Sequence, residues 1–244
     1  MAGKEVVRGG RTEEMTTIAF ALRHPRGSYR AERAAQLSGV PKSTLYDWRR
    51  DKIYVPDFDS GSPVLWSYRD LVYLRLLAWL RQLGMPRPTA ARQVATVKDR
   101  VSGGAEVRAL HADRNVVLIG DEQMTHVGGP NLLPFDDLAG LLATFDLLDP
   151  IEELRRRGQK RAWAPDLITP STHTSISPWV LAGDPCIRET RIPTAAIRAL
   201  REQRGLTFGN IVELYPGLSA EAAKDADLLE RRLRGLELPE RAAA

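Results

Sequence analysis

Apolar residues recur at helical spacing in several stretches of the first hundred positions. Ala31, Ala34, Ala35 and Leu37 fall on one face of Tyr29 to Ser38 and predict a short amphipathic helix. Gly39 stands where a left-handed, helix-ending residue belongs. Pro41 then suits the first turn of a second helix, which carries Leu45 and Trp48 and runs to about Arg50. From Ile53 to Trp66, Pro56, Gly61 and Pro63 punctuate two short extended runs, which predicts a small hairpin or wing. Ser67, with Asp70 three residues on, predicts the capped start of a helix from Tyr68 to Leu83. Leu71, Leu74, Leu77, Ala78 and Leu80 supply its buried face. Gly84 ends that helix, and Pro86 to about Arg100 predicts another. Residues 1–15 read as a frayed tail.

Ser102-Gly103-Gly104 marks a boundary, and the period changes beyond it. Val107–Leu110, Val116–Ile119 and Met124–Val127 read as strands of a meander, separated by polar turns. Leu138 to Leu148 returns to helical spacing, and Ile151 to Arg157 continues it or starts another helical turn. Residues 161–178, rich in Pro, Ser and Thr, read as a connecting segment. A last domain holds a helix from Thr194 to Arg204 ended by Gly205, a second from a Thr207 cap to Leu214, and a third from a Ser219 cap through Leu233. The expected fold class is mainly α with small β elements. The expected domains are 1–100, a winged helix-turn-helix; 101–160, a small β-meander and helix assigned to oligomerisation; and 161–244, a linker and a three-helix domain.

Composition changes this picture only through charge. The 244 residues are 43% hydrophobic and 27% charged, ordinary values for a globular chain. The net charge of +4 conceals a division. Residues 1–100 hold 18 Lys+Arg against 10 Asp+Glu, and residues 101–244 hold 17 against 21. A basic front and an acidic back raise the question of a polyanionic partner for the front. A single cysteine, Cys186, excludes an intramolecular disulfide and points to a reducing compartment. No apolar run approaches the ~20 residues of a membrane span. The polar start of the chain lacks the apolar stretch of a secretory signal, so a cytoplasmic protein without membrane contact is expected.

The basic helix pair carries the clearest chemistry. A duplex presents closely spaced phosphates and a groove that admits a helix, so a reading helix needs small hydrogen-bonding residues at its leading end and cations where it meets the backbone. Lys42, Ser43 and Thr44 lead, and Tyr46, Asp47, Arg49, Arg50 and Lys52 follow. Arg30, Arg33 and Arg69 complete the set expected at DNA. From Arg23 to Lys52 there are 8 cations and 3 anions. Leu37, Val40, Leu45 and Trp48 have the spacing to hold the two helices together. Gly39-Val40, Leu45 with Trp48, the short wing, Trp66-Ser67-Tyr68-Arg69-Asp70-Leu71 and Leu83-Gly84-Met85 together resemble the winged helix-turn-helix of the MerR class, over residues 29–98. The chain departs from that class in an uncharged wing segment, Ser60–Leu65, and in lacking a long dimerisation helix after residue 100.

The second distinctive stretch is Arg191-Ile192-Pro193, Gly205-Leu206, Ile211 to Leu214, Tyr215-Pro216 and Leu218-Ser219. Over residues 176–234 it resembles a family of small antitoxin-associated domains of unknown function. Thr190 matches that family's pattern, and Glu189 stands where the family usually has glycine. The two resemblances together are those of a VapB-type antitoxin. They imply a homodimer that binds the promoter DNA of its own operon and neutralises a PIN-domain ribonuclease toxin. Arg188, Arg191, Arg231, Arg232 and Arg234 are the residues expected to meet the toxin's acidic site, each with a surface pairing to a neighbouring carboxylate as its alternative.

Other chemistry is set aside. His24, His111, His126 and His173 have no metal-ligand spacing. Gly103-Gly104 and Gly128-Gly129 precede no phosphate-binding lysine motif. Asp136-Asp137 and Glu152-Glu153 are adjacent acids that point apart on a helix. No cofactor and no catalytic activity are expected. The alternative function is a MerR-like transcriptional regulator whose 107–127 strands wall a small-molecule pocket.

Overall fold

The computed structural model describes residues 21–82, 86–102, 107–112, 115–120, 123–126, 132–133, 148–154 and 162–235. Across them the chain is mainly α-helical with small antiparallel β elements. It divides into two compact units, Met1–Asp149 and Pro150–Ala244. The Leu83–Gly84 helix end, the Gly103-Gly104 boundary, residues 138–147 of the expected helix and residues 155–157 lie outside the described residues, as does the tail.

In the first unit, α1 (Ala31–Ser38) stops at Gly39, whose φ of 74° is left-handed and whose N–H returns to the Ala35 carbonyl. The chain leaves this turn through Pro41 into α2 (Lys42–Arg50). Ala31, Ala34, Leu37, Val40, Leu45 and Trp48 are buried, so the apolar residues of both helices hold them together as their spacing predicts. Helix α3 (Tyr68–Gln82) begins with the expected reciprocal cap: Asp70 N–H donates to Ser67 Oγ at 3.1 Å, and Ser67 N–H donates to Asp70 Oδ2 at 2.8 Å. The burial of α3 is wider than the stripe its leucines predict. Val72, Tyr73 and Leu76 are buried with Leu71, Leu74, Leu77 and Leu80, whereas Ala78 is half-buried. Helix α4 (Arg87–Ser102) packs against it.

The expected wing is thinner than a hairpin. Phe58 and Leu65 form a single bridge, and Trp66 pairs instead with Tyr29, at 2.8 and 2.9 Å, in the segment before α1. Strands β1 (Val107–Ala112), β2 (Asn115–Gly120), β3 (Gln123–His126) and β4 (Leu132–Leu133) form an antiparallel meander in sequence order, with His111 opposite Val116 and Ile119 opposite Met124. Three of these strands match the predicted set, and β4 adds a fourth.

The second unit corrects two local readings. Ile151–Leu154 is not helical; it is strand β5, paired antiparallel with β6 (Ala162–Ala164). The run follows Pro150, and its partner lies in the stretch read as a connector. Local periodicity does not register such a pairing. That connector is folded: Leu167 and Ile168 are buried, and the Asp166 carboxylate accepts from the N–H groups of Ile168 and Thr169, each at 2.6 Å. Further along it, β7 (Thr174–Ser175) pairs with β8 (Cys186–Ile187). Helices α5 (Thr194–Arg204), α6 (Phe208–Leu214) and α7 (Ala220–Leu233) follow with the predicted bounds. Gly205 ends α5 at φ 62°, Thr207 and Asn210 form a capping box on α6, and Ser219 Oγ caps α7 through Ala222 N–H at 3.1 Å. Ile187, Ile197, Ile211, Leu218, Ala222, Ala223 and Ala226 make the core of this unit.

Candidate nucleic-acid interface

Helix α2 turns Leu45 and Trp48 inward, and the 3.6-residue period then fixes what faces solvent. Lys42, Ser43, Tyr46 and Arg50 are exposed, and Thr44, Asp47 and Arg49 are half-buried. Tyr46 keeps 46% of its surface in solvent although its ring meets Trp66 edge-on at 6.0 Å. The leading end therefore presents an ammonium and two hydroxyls, and the trailing end presents two guanidiniums. Lys52 is exposed just past the helix, in a left-handed conformation at φ 54°. Arg30 is exposed before α1, and Arg33 donates to Gln36 Oε1 at 3.1 Å.

The cations of α2 are not bare. Lys42 lies 3.8 Å from Glu32, Arg49 is paired with Asp59, and Arg50 lies 3.0 Å from both Asp47 and Asp51. Asp51 also faces Arg87 of α4 at 3.6 Å. Asp59 and Arg87 come from outside the stretch whose charge appeared concentrated in sequence.

Arg69 does not belong to this surface. It is 7% exposed, and its guanidinium grips Asp57 through two hydrogen bonds of 2.7 and 2.8 Å. The remaining nitrogen donates to the Arg23 carbonyl and to Ser102 Oγ, both at 2.9 Å. A guanidinium forked onto a buried carboxylate is a fixed brace, not a phosphate ligand. It works beside Asp70, which accepts from Tyr54 Oη at 2.6 Å, Asp57 N–H at 2.9 Å and Lys98 Nζ at 3.0 Å. Lys98 also lies 2.9 Å from Asp57, so one ammonium from α4 closes on two carboxylates. Burial opposes the charge on Asp57, but hydrogen bonds from Arg69 and Ser67 and the Lys98 ammonium overcome it and lower its carboxyl to about 2. Asp70 moves the other way, because burial raises its pKa more than Lys98 and Tyr54 lower it. This cluster ties the wing to α3 and α4. Sequence reasoning saw only the Ser67–Asp70 cap, because every other partner is ten or more residues away.

The five arginines expected to meet a toxin fall into two settings. Arg188 and Arg191 are exposed on the turn from Ile187 to Ile192, and among the described residues neither side chain has an ion-pair partner. Ile187 N–H donates to the Ile192 carbonyl at 2.9 Å, and Thr190 Oγ1 donates to the Ile187 carbonyl at 2.8 Å. These bonds hold the turn rigid. The other three lie at the end of α7: Arg231 is half-buried, Arg232 stacks 3.9 Å over the Trp163 ring, and Arg234 bonds Glu202 at 2.8 Å. Arg232 and Arg234 thus have local structural roles. Cys186 is buried, and burial with the nearby Asp184 raises its thiol pKa to about 11, which leaves it an inert core residue.

Glu189 sits in this turn at φ 61°, the left-handed region. An L side chain there costs roughly 1–2 kcal/mol, and glycine gives part of that back as chain entropy. Glu189→Gly is expected to stabilise the second unit by about 0.5–1 kcal/mol. Increased hydrogen-exchange protection of α5 and α7 in the full chain is the check; unchanged protection would contradict it.

Among the described residues no helix is long and apolar enough to cross a membrane. No curated protein and no solved structure matches the chain. Residues 175–227, from the end of β7 into α7, match the model of a family described as a protein of unknown function (DUF433).

Proposed function

We propose that this chain is the antitoxin of a type II toxin–antitoxin pair. Its first unit binds the promoter DNA of its own operon as a homodimer, with α2 in the major groove. Its second unit binds a PIN-domain ribonuclease toxin and neutralises it by direct contact. The observation that carries the DNA half is α2 itself: hydroxyls at its leading end, guanidiniums at its trailing end, and buried Leu45 and Trp48 that seat it against the unit. The toxin half is supported by Arg188 and Arg191, exposed on a hydrogen-bonded turn and without an ion-pair partner among the described residues, which suit a cluster of carboxylates, within a segment that resembles antitoxin-associated domains. Residues 101–160 are assigned to oligomerisation.

The deciding experiment is co-expression with the product of the adjacent gene, followed by pull-down and a ribonuclease assay. Co-purification with loss of nuclease activity supports the proposal. Promoter binding by the chain alone that depends on an added small molecule, without a protein partner, favours a MerR-like regulator instead. For the DNA half, Arg49→Ala with Arg50→Ala is expected to weaken promoter binding and reduce the log–log salt slope by about 2, without changing the thermal melt. Unchanged affinity at moderate salt would overturn it.

A further inference from the structure

The pairing of the α2 cations has a function of its own, given the DNA reading above, on which this inference rests. We propose that Asp51 and Asp59 restrain the hold of the recognition helix on DNA phosphates, acting through Arg49, Arg50 and Arg87, so that duplexes of arbitrary sequence are bound weakly.

Three observations converge on these residues. Asp59, on the wing, receives Arg49 Nε, and each of the two side chains is a little over one third exposed. Asp51, directly after α2, receives Arg50 Nε at 3.0 Å and faces Arg87 at the start of α4. Neither carboxylate belongs to the buried brace formed by Asp57 and Asp70. Ion pairs this exposed contribute little to stability. A phosphate can therefore take the guanidinium from its carboxylate, but the carboxylate stays beside the strand and repels it.

Binding to arbitrary DNA is almost wholly electrostatic, so such a surface forfeits it first. What remains must come from contacts that read bases, and Ser43, Thr44 and Tyr46 are the α2 side chains placed for that. Anions set against the wrong partner are a recognised route to discrimination. If instead Asp51 and Asp59 serve only as surface ion pairs, their removal changes stability slightly and DNA affinity not at all.

The test uses the full chain and two labelled duplexes of equal length, one covering the DNA directly upstream of its own reading frame and one a scramble of it, in fluorescence anisotropy over a salt series. Asp59→Asn and Asp51→Asn, each checked for an unchanged melt, are expected to tighten binding to the scrambled duplex about fivefold or more and to steepen its log–log salt slope by about 0.9. In an Arg49→Ala background the Asp59→Asn gain should vanish, which a general charge effect would not do. Wild-type binding with both variants unchanged in affinity and slope overturns the proposal and leaves the DNA reading standing. No binding of either duplex by wild type or variants overturns both. Binding by the variants alone supports both.

Discussion

Asp70→Ala is expected to destabilise the first unit by about 3–5 kcal/mol, enough to unfold a domain of ordinary stability at moderate temperature. The carboxylate is fully buried and accepts from four groups: Tyr54 Oη, Ser67 N–H, Asp57 N–H and Lys98 Nζ. Alanine strips the acceptors from all four. The cost is dominated by Lys98, whose side chain is 17% exposed and, among the described residues, would keep only Asp57 as its ion-pair partner. Asp70→Asn retains one carbonyl oxygen but turns an amide donor toward groups that are themselves donors, so a smaller loss is expected, about 2–3 kcal/mol. Urea unfolding followed by hydrogen exchange in α3 measures both. A loss below about 1 kcal/mol for the alanine variant would contradict the assignment of this cluster as the brace of the unit. DNA binding should fall in step with stability, because an unfolded first unit no longer presents α2 as a helix.

Features legible in sequence were those whose cause lies within four residues. Gly39, the Ser67–Asp70 pair, Thr207, Ser219 and Gly205 are all local stop or start signals, and each stands where it was expected. Leu45 and Trp48 were legible for the same reason, since a helical period alone decides which way they point. Long-range pairings were not legible. The β5–β6 ladder, the Tyr29–Trp66 bridge and the wing's attachment through Asp57 each join residues whose partners no local pattern names. The charge of the interface misled for a related reason. Counting along residues 23–52 assigns a strong positive balance to the helix pair. In space Asp59 enters that surface to pair with Arg49, while Asp47 and Asp51 close on Arg50. Linear charge thus located the basic element correctly and overstated its field.

Arg75 shows the same effect most strongly, and it carries the second large expectation. In sequence it only interrupts the apolar run from Leu71 to Leu83. In the structure it is 2% exposed at the middle of α3. Its Nη2 donates to the Leu37 carbonyl at 2.6 Å, and Nη1 donates to the carbonyls of Leu148 and Asp149 at 3.2 and 2.9 Å. Leu37 lies in the last turn of α1, where a carbonyl has no helical partner, so the guanidinium serves as a cap supplied from another helix. Arg75→Met keeps most of the volume and removes the donors, leaving these carbonyls without that donor at a cost of about 2–4 kcal/mol. Arg75→Lys retains the charge but reaches fewer carbonyls at once, so it should recover only part of the loss. Exchange of the α1 amides is the specific readout, because a mere packing defect in α3 would leave α1 protected as before. Equal stability of the methionine variant and the wild type would show that the cap contributes nothing. With Arg69 forked onto Asp57 and Arg75 capping α1, two of the cations in the basic front are interior fixtures. The charge these two residues offer a phosphate backbone is therefore smaller than the composition suggests.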